Sequence, residues 1–225
     1  MNLANAQIAV LAESQYQELE LWYPLLRLRE TGANVVVVGP AIGQVYSSKL
    51  GYPVRADIAA TDVKANDLDA LIIPGGFAPE GMRRTPAMVN LVRDVQAQGG
   101  LVAAICHAGW MLASAGVARG RNMTCVSIIK DDVIAAGGRY VDEPVVRDGN
   151  VITSRLPSDL PVFCKAIVSY LEETPSRRAA NAPTLPRGGK ASTAEFVKPA
   201  KLVMAARGKA SANYTTLVVG GQYAA

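Results

Sequence analysis

Cys106 closes the apolar run LVAAI (101–105) and opens HAGWMLASAG (107–116), a strand pattern followed at once by a helical one. A thiol at such a junction faces the positive end of a helix dipole and unpaired backbone N–H groups. Both favour the thiolate, which is the nucleophilic form. The small neighbours Ala103, Ala104, Ala108 and Gly109 leave room for a turn sharp enough to lift the side chain out of a sheet. Cys106 is therefore expected to ionise below a free cysteine and to react faster than Cys125 or Cys164. The plainer alternative is a buried cysteine acting as a small hydrophobe. His107, the single histidine, is adjacent. Neighbouring residues on a helical turn point about 100° apart, so His107 is not expected to copy a dyad assembled from distant segments. It could still act as acid or base toward a substrate held over Cys106, or simply bond to solvent at a helix start.

Two further segments follow buried runs. Glu18 and Glu20 come after QIAVLA (7–12) and open a helical pattern through Leu19, Trp22, Tyr23, Leu26 and Leu28. Acids in a first helical turn suit the dipole whatever their function. A carboxyl group that reached residue 106 and stayed protonated could also hydrogen-bond a thiolate, which requires a pKa raised by burial. Gly75-Gly76 ends DALIIPGG (69–76); it is a plain tight turn, or a backbone whose N–H groups form an oxyanion hole. Cys125 and Cys164 read as structural, Lys130-Asp131-Asp132 as a charged helix start, and Arg83-Arg84 as a solvated face. Trp22, Tyr23 and Trp110 suit a core or an interface. No phosphate loop or GxGxxG fingerprint is present, which disfavours nucleotide binding.

The elements that must position these residues alternate. Strand patterns at 7–12, 34–39, 69–73 and 101–105 are separated by helical patterns that close at Gly32, over 86–98 and over 107–116. Residues 44–58 suit short hairpin or edge strands, 130–137 a helix, and 145–153 a hairpin around Asp148-Gly149. A closing helix is expected over 158–173 with Ser158 or Asp159 at its N-cap. The alternation predicts an α/β fold with a mainly parallel sheet and helices on both faces. Sites in such sheets lie at the carboxyl ends of strands, which nominates residues 13–20, 74–80 and 106–110.

Composition bounds the rest. The 225 residues carry 23 Lys/Arg and 19 Asp/Glu, unevenly spread. Residues 1–173 hold 15 basic and 18 acidic residues, whereas 174–225 hold eight basic residues and one acid, Glu195. The basic excess thus belongs to a Pro/Ala/Gly-containing tail, read as flexible, docking weakly or not at all, and dispensable from about residue 174 for folding and for Cys106 chemistry; it argues against a nucleic-acid footprint on the body. Its end contains a mildly apolar FVKPAKLVMAARG and a strand-like TTLVV. Three cysteines without CxxC spacing suit reduced thiols in a cytoplasmic protein. One histidine makes a metal site improbable, no cofactor is implied, and no apolar run is long enough to span a membrane.

AAICHAGW (103–110) resembles the elbow of the ThiJ/PfpI family, in the class I glutamine amidotransferase-like superfamily. ELELWYPLLRLRETGANV, LIIPGGFAPEGMR, SAGVARGR, IKDD and DEPVVRDGNVITSRLPSDLP resemble its PfpI branch, in register, over about residues 7–173. The resemblance implies a flavodoxin-like sandwich over 1–173, with 174–225 outside it. It places the nucleophile on Cys106, the adjacent histidine on His107, the helix-start glutamate on Glu20 (four residues before Pro24), and the oxyanion turn on Gly75 and Gly76. It also implies a homo-oligomer, a dimer or a hexamer, in which Glu80 meets His107 of a neighbouring subunit. The chain departs from the pattern in two respects: Gln15 and Gln17 stand where acids are frequent, and Val126 where a tyrosine is. The activity implied is cysteine-dependent hydrolysis or lysis of small carbonyl compounds or glycated adducts. The alternatives are an intracellular cysteine peptidase acting on peptides and a redox-sensing or chaperone-like stress protein. Glutamine amidotransfer is disfavoured, because no distant histidine completes a triad.

Overall fold

Runs of Val, Ile, Leu and Ala too short for a helix and too apolar for a surface form the centre of the molecule. The protein is described by a computed structural model covering residues 1–176, 178 and 182–188. In chain order it contains β1 (Gln7–Leu11), α1 (Glu18–Glu30), β2 (Asn34–Gly39), β3 (Val45–Ser47), β4 (Pro53–Arg55), β5 (Ile58–Ala59) and β6 (Ala70–Ile73). There follow α2 (Ala78–Met82), α3 (Pro86–Ala97), β7 (Leu101–Ile105), α4 (Gly109–Ser114), β8 (Asn122–Met123), α5 (Lys130–Ala135) and β9 (Arg139–Tyr140). The last elements are β10 (Val145–Asp148), β11 (Val151–Ser154) and α6 (Leu160–Glu173).

The main sheet has the order β10-β11-β7-β6-β1-β2-β5. Every neighbouring pair is parallel except the β10–β11 hairpin. All residues of β1, β6 and β7 are buried, which requires cover on both faces. α1 packs with α6, and α3 with α4, supplying the two helical layers of a flavodoxin-like sandwich. β3 and β4 form the short hairpin expected in 44–58. The helix before β2 ends at Glu30, with Gly32 at φ +86° donating its N–H to Arg29 O at 2.9 Å.

Two local expectations differ from the structure. The helix after Cys106 begins as a 3-10 turn, Cys106–Ala108, before α4 starts at Gly109. Asp159 precedes α6 but makes no side-chain cap; its carboxylate takes Arg155 Nε at 2.9 Å instead. Pro161 in the first turn lacks an N–H, so one of the orphan donors such a cap would satisfy is absent.

The described part of the segment after α6 docks at the amino-terminal edge of the sheet. Leu185 is buried, and its N–H donates to Gln7 Oε1 at 3.1 Å. Ser176 Oγ donates to Asp69 Oδ1 at 2.6 Å, and Asn34 Nδ2 donates to Leu185 O at 3.2 Å. The apolar and strand-like stretches noted near the end of the chain lie outside the described residues.

Candidate active site

The three segments nominated from the sequence meet at the carboxyl ends of the adjacent strands β1, β6 and β7. Cys106 leaves β7 at φ +61°, a conformation that non-glycine residues seldom adopt without a functional reason. This angle turns the backbone so sharply that adjacent side chains do meet. Cys106 Sγ lies 3.3 Å from His107 Nδ1, although helical spacing alone would have kept them apart.

Gly75 explains why the turn after β6 carries no side chain. A Cβ there would lie 2.6 Å from Glu20 Oε2, 2.8 Å from Cys106 Cβ and 2.9 Å from the His107 nitrogen. Gly76 has φ +72°, and a Cβ would press on the Gln15–Gln17 backbone at 2.5 Å. The two glycines play different parts. Gly75 N–H donates to Glu20 Oε2 at 2.8 Å and is thereby occupied. The N–H groups of Gly76 and His107 are the ones that stabilise charge on the Cys106 sulfur.

Between the two first-turn acids, the fold chooses Glu20. Gln17 caps α1 by accepting the Glu20 N–H at 2.9 Å, and Glu20 is turned inward with 0 % exposure. Glu18 faces the other way and accepts the Leu50 N–H at 2.6 Å. Pro24 has no N–H, so the Glu20 carbonyl lacks its usual helical partner four residues on. Glu20 Oε1 is buried and accepts no hydrogen bond among the described residues. Burial pushes the Glu20 carboxyl up to about 7, against the pull of the Gly75 N–H.

Cys106 is 7 % exposed. Burial, and then the neighbouring Glu20 charge, push its thiol up to about 12; the His107 and Gly76 N–H groups oppose this. The expectation of a thiol ionising below a free cysteine is thus not met while Glu20 is ionised. The helix dipole and N–H groups are present, but the carboxylate beside the sulfur outweighs them. Protonating Glu20 removes that charge, so the two groups titrate as a pair. Cys125 and Cys164 are buried and free, and burial pushes both thiols up to about 12.

His107 is half buried, and its pKa is lowered by burial and by the charge of Lys49. Its ring is 5.2 Å from Trp110 in an edge-on arrangement and 6.0 Å from Phe77. Trp110 is held by donating Nε1–H to Asp132 Oδ2 at 2.8 Å. Glu80 is exposed on α2 and lines a cleft of about 400 Å³ with Glu13, Gln15 and Phe77. Within the chain no hydrogen bond or ion pair joins Glu80 to His107. Among the described residues no three His, Cys, Asp or Glu side chains are placed to hold a metal ion.

The model of the DJ-1/PfpI family matches residues 6–170. The chain belongs to the DJ-1/PfpI family. A deglycase from Pyrococcus abyssi is 41 % identical over 166 residues, covering 74 % of this chain and 99 % of the relative. A relative from Bacillus subtilis, provisionally named a cysteine protease, is 34 % identical over 166 residues, 74 % of this chain and 98 % of its own. A crystal structure from Anabaena variabilis, with DJ-1/ThiJ/PfpI-like and ferritin-like domains, superposes with a TM-score of 0.74 at 38 % identity. That match covers 79 % of this chain and 52 % of the Anabaena chain.

Within this DJ-1/PfpI site, sequence reasoning found Cys106, His107, Glu20 and the glycine turn. It did not single out Phe77, which walls the imidazole, or Lys49, whose ammonium lies 4.9 Å from the Phe77 ring centroid. Gln15, one of the two departures, adopts φ +68° and accepts the Phe77 N–H at 2.9 Å, so it positions that wall. Val126 donates its N–H to Cys106 O at 3.5 Å and brings no side-chain donor to the thiol. In the sequence Trp110 reads as a core or interface aromatic, with no sign of a hydrogen-bond partner. Its tie to Asp132 depends on residues 22 positions apart, which no local spacing announces.

Proposed function

We propose that the protein is a cysteine-dependent hydrolase or lyase of small carbonyl compounds or their adducts, of the deglycase or glyoxalase kind. One observation carries this reading: a strained Cys106 stands beside a buried Glu20 whose Oε1 is offered no N–H donor and whose carboxyl hydrogen-bonds the thiol itself. A buried carboxylate oxygen without a donor is costly, so Oε1 is the atom on which Glu20 takes up a proton. The raised values of the two groups leave a single shared proton mainly on the sulfur, so the reactive form is the minor tautomer in which Glu20 holds the proton and the Gly76 and His107 N–H groups support the thiolate. That thiolate attacks an aldehyde carbon, and the carbonyl π pair moves to oxygen. Gly76 N–H faces the developing oxyanion; Gly75 N–H holds Glu20 in place. Glu20 or His107 supplies the proton that completes the hemithioacetal. For a 2-oxoaldehyde, the proton on the sulfur-bearing carbon moves to the adjacent carbonyl carbon while the hemithioacetal hydroxyl gives its proton up and the former ketone oxygen takes one, which leaves a 2-hydroxy thioester. Water then releases a 2-hydroxy acid and restores the thiol, with no external oxidant.

A peptidase would need His107 oriented by a carboxylate, and none among the described residues bonds to it. We propose that the protein assembles as a dimer or a hexamer, in which Glu80 could supply that partner. Leu19, Tyr23 and Leu26 on α1 are large exposed apolar residues of the sort an interface covers. Light scattering tests the assembly, and a monomer with full activity would refute it.

The function is tested by turnover of methylglyoxal, a methylglyoxal-glycated amino acid and an unmodified peptide, each compared with Cys106→Ser. Turnover of the first two should fall at least ~10³-fold in the variant. Cleavage of the peptide with the carbonyl substrates untouched would overturn the reading.

A further inference from the structure

Lys49 approaches the site from outside every segment already described. Its loop is pinned from several directions. Lys49 N–H donates to Tyr16 O at 2.9 Å, Leu50 N–H to Glu18 Oε1 at 2.6 Å, and Tyr52 N–H to Ser48 Oγ at 2.8 Å. Tyr16 in turn bridges Ser48 on one side and Gly76 on the other. The Lys49 backbone is therefore registered against the glycine turn that faces Cys106.

From this base the Lys49 ammonium lies 4.9 Å from the centroid of the Phe77 ring. Phe77 is 50 % exposed and stands 6.0 Å from the His107 imidazole. The cation and the two rings thus follow one another toward the thiol, since His107 Nδ1 lies 3.3 Å from Cys106 Sγ. A cation held over an aromatic face is restrained in position, and the ring excludes water from one side of it. No carboxylate among the described residues lies within 4.0 Å of Nζ. Glu18 is near enough to feel its charge, but its Oε1 is engaged by Leu50. The Lys49 charge also reaches inward, where it favours ionised Glu20 and neutral His107.

We propose that Lys49 is an anion-recognition residue of the Cys106 site and selects reactants that carry a carboxylate beside the reacting carbon. The substrate class this implies, a carbonyl compound or adduct bearing that carboxylate, rests on the function proposed above; the anion recognition does not. A neutral aldehyde gains nothing from Lys49. A carboxylate approaching His107 past Phe77 gains an opposite charge at an exposed position. Exposed ion pairs have modest strength, which sets the expected preference at about fivefold.

The test uses two alkylating reagents of nearly equal size and different charge on the full-length protein. Cys106 modification by iodoacetate and by iodoacetamide is followed by peptide mapping in wild type, Lys49→Met and Lys49→Arg. Both reagents meet the same thiolate, so the ratio of their rates cancels any change in Cys106 ionisation. The iodoacetate-to-iodoacetamide ratio should fall about fivefold in Lys49→Met and recover in Lys49→Arg. About tenfold higher salt should lower the wild-type ratio toward that of Lys49→Met. An equal ratio in all three proteins, or an equal fall with Arg and with Met, overturns the proposal. In a second arm, glyoxylate should inhibit methylglyoxal turnover by wild type more strongly than by Lys49→Met. A wild type that turns over no carbonyl substrate refutes the proposed function, and the labelling ratio still decides the anion site.

Discussion

Two carboxylates are buried at opposite edges of the same sheet, and they are treated in opposite ways. At the amino-terminal edge, Asp69 is 3 % exposed and both of its oxygens are engaged. Oδ2 accepts the Gln7 N–H at 2.9 Å, Oδ1 accepts Ser176 Oγ at 2.6 Å, and the Arg178 guanidinium lies 4.0 Å away. At the carboxyl edge, Glu20 has one oxygen on Gly75 and the other unpartnered. Among the described residues, the non-glycine ones with positive φ, Gln15 and Cys106, both lie at this second edge. One buried acid is used to lock chain segments together. The other keeps one oxygen without an N–H donor beside a thiol, and the proposed function uses it to exchange a proton with the sulfur. Local rules are broken where chemistry is done and kept where the fold is closed.

The largest expected effect breaks the comparison at Glu20. Its folded pKa, raised to about 7, exceeds that of an exposed carboxyl. The folded state therefore holds the proton more tightly than the unfolded state. Stability from this group is complete below about pH 4.5 and is lost as pH rises toward 7. Urea unfolding from pH 4 to 8 should show wild type losing up to about 3 kcal/mol relative to Glu20→Gln across that window. The same variant should react more slowly at Cys106 near neutral pH, and Glu20→Leu more slowly still, because an amide is a weaker donor than a carboxylic acid and Leu donates nothing. Alkylation rates against pH check this; unchanged rates in Glu20→Leu would remove Glu20 from the pair.

A smaller effect is expected at the other edge. Asp69→Ala leaves the buried Gln7 N–H and the Ser176 hydroxyl without an acceptor, and should cost about 2 kcal/mol in denaturant unfolding. Cys106 alkylation per folded molecule should not change, which would sharpen the distinction between a structural and a chemical carboxylate. The smallest effect belongs to Leu185→Ala. Leu185 is buried at the margin of the core, where its segment can resettle, so the loss should be roughly 1–2 kcal/mol, below the usual core range. A loss near zero would show that residues 182–188 contribute nothing to closing the sheet.

Much of this molecule was legible from residue order. Four apolar runs of strand length separated by helical periods require buried parallel strands, and β1, β2, β6 and β7 sit where those runs predict. The positions of Gly75, Gly76 and Cys106 directly after such runs mark the strand ends where a site forms. Other features were not legible. The short α2 and the two-residue strands β8 and β9 have too few residues to show a period. Lys49 lies on a hairpin loop whose sequence reads as ordinary turn residues, and nothing local reveals that its ammonium covers Phe77.

The sequence by itself determined the layer architecture, the edge of the sheet that carries the candidate site, and the cysteine proposed as its nucleophile. These follow from periodicity and from where glycine and cysteine interrupt it. Only the tertiary structure decided which acid faces the thiol. Glu18 and Glu20 are two residues apart on one helix, so they point in nearly opposite directions, and the rotation of α1 against α6 and the sheet selects between them. It also decided that His107 meets Cys106, because that contact depends on φ +61° at one residue. It divided the glycine turn, committing the Gly75 N–H to Glu20 and turning that of Gly76 toward the sulfur. Each of these outcomes is an angle or a distance set by packing between segments far apart in the chain, and no local pattern encodes it.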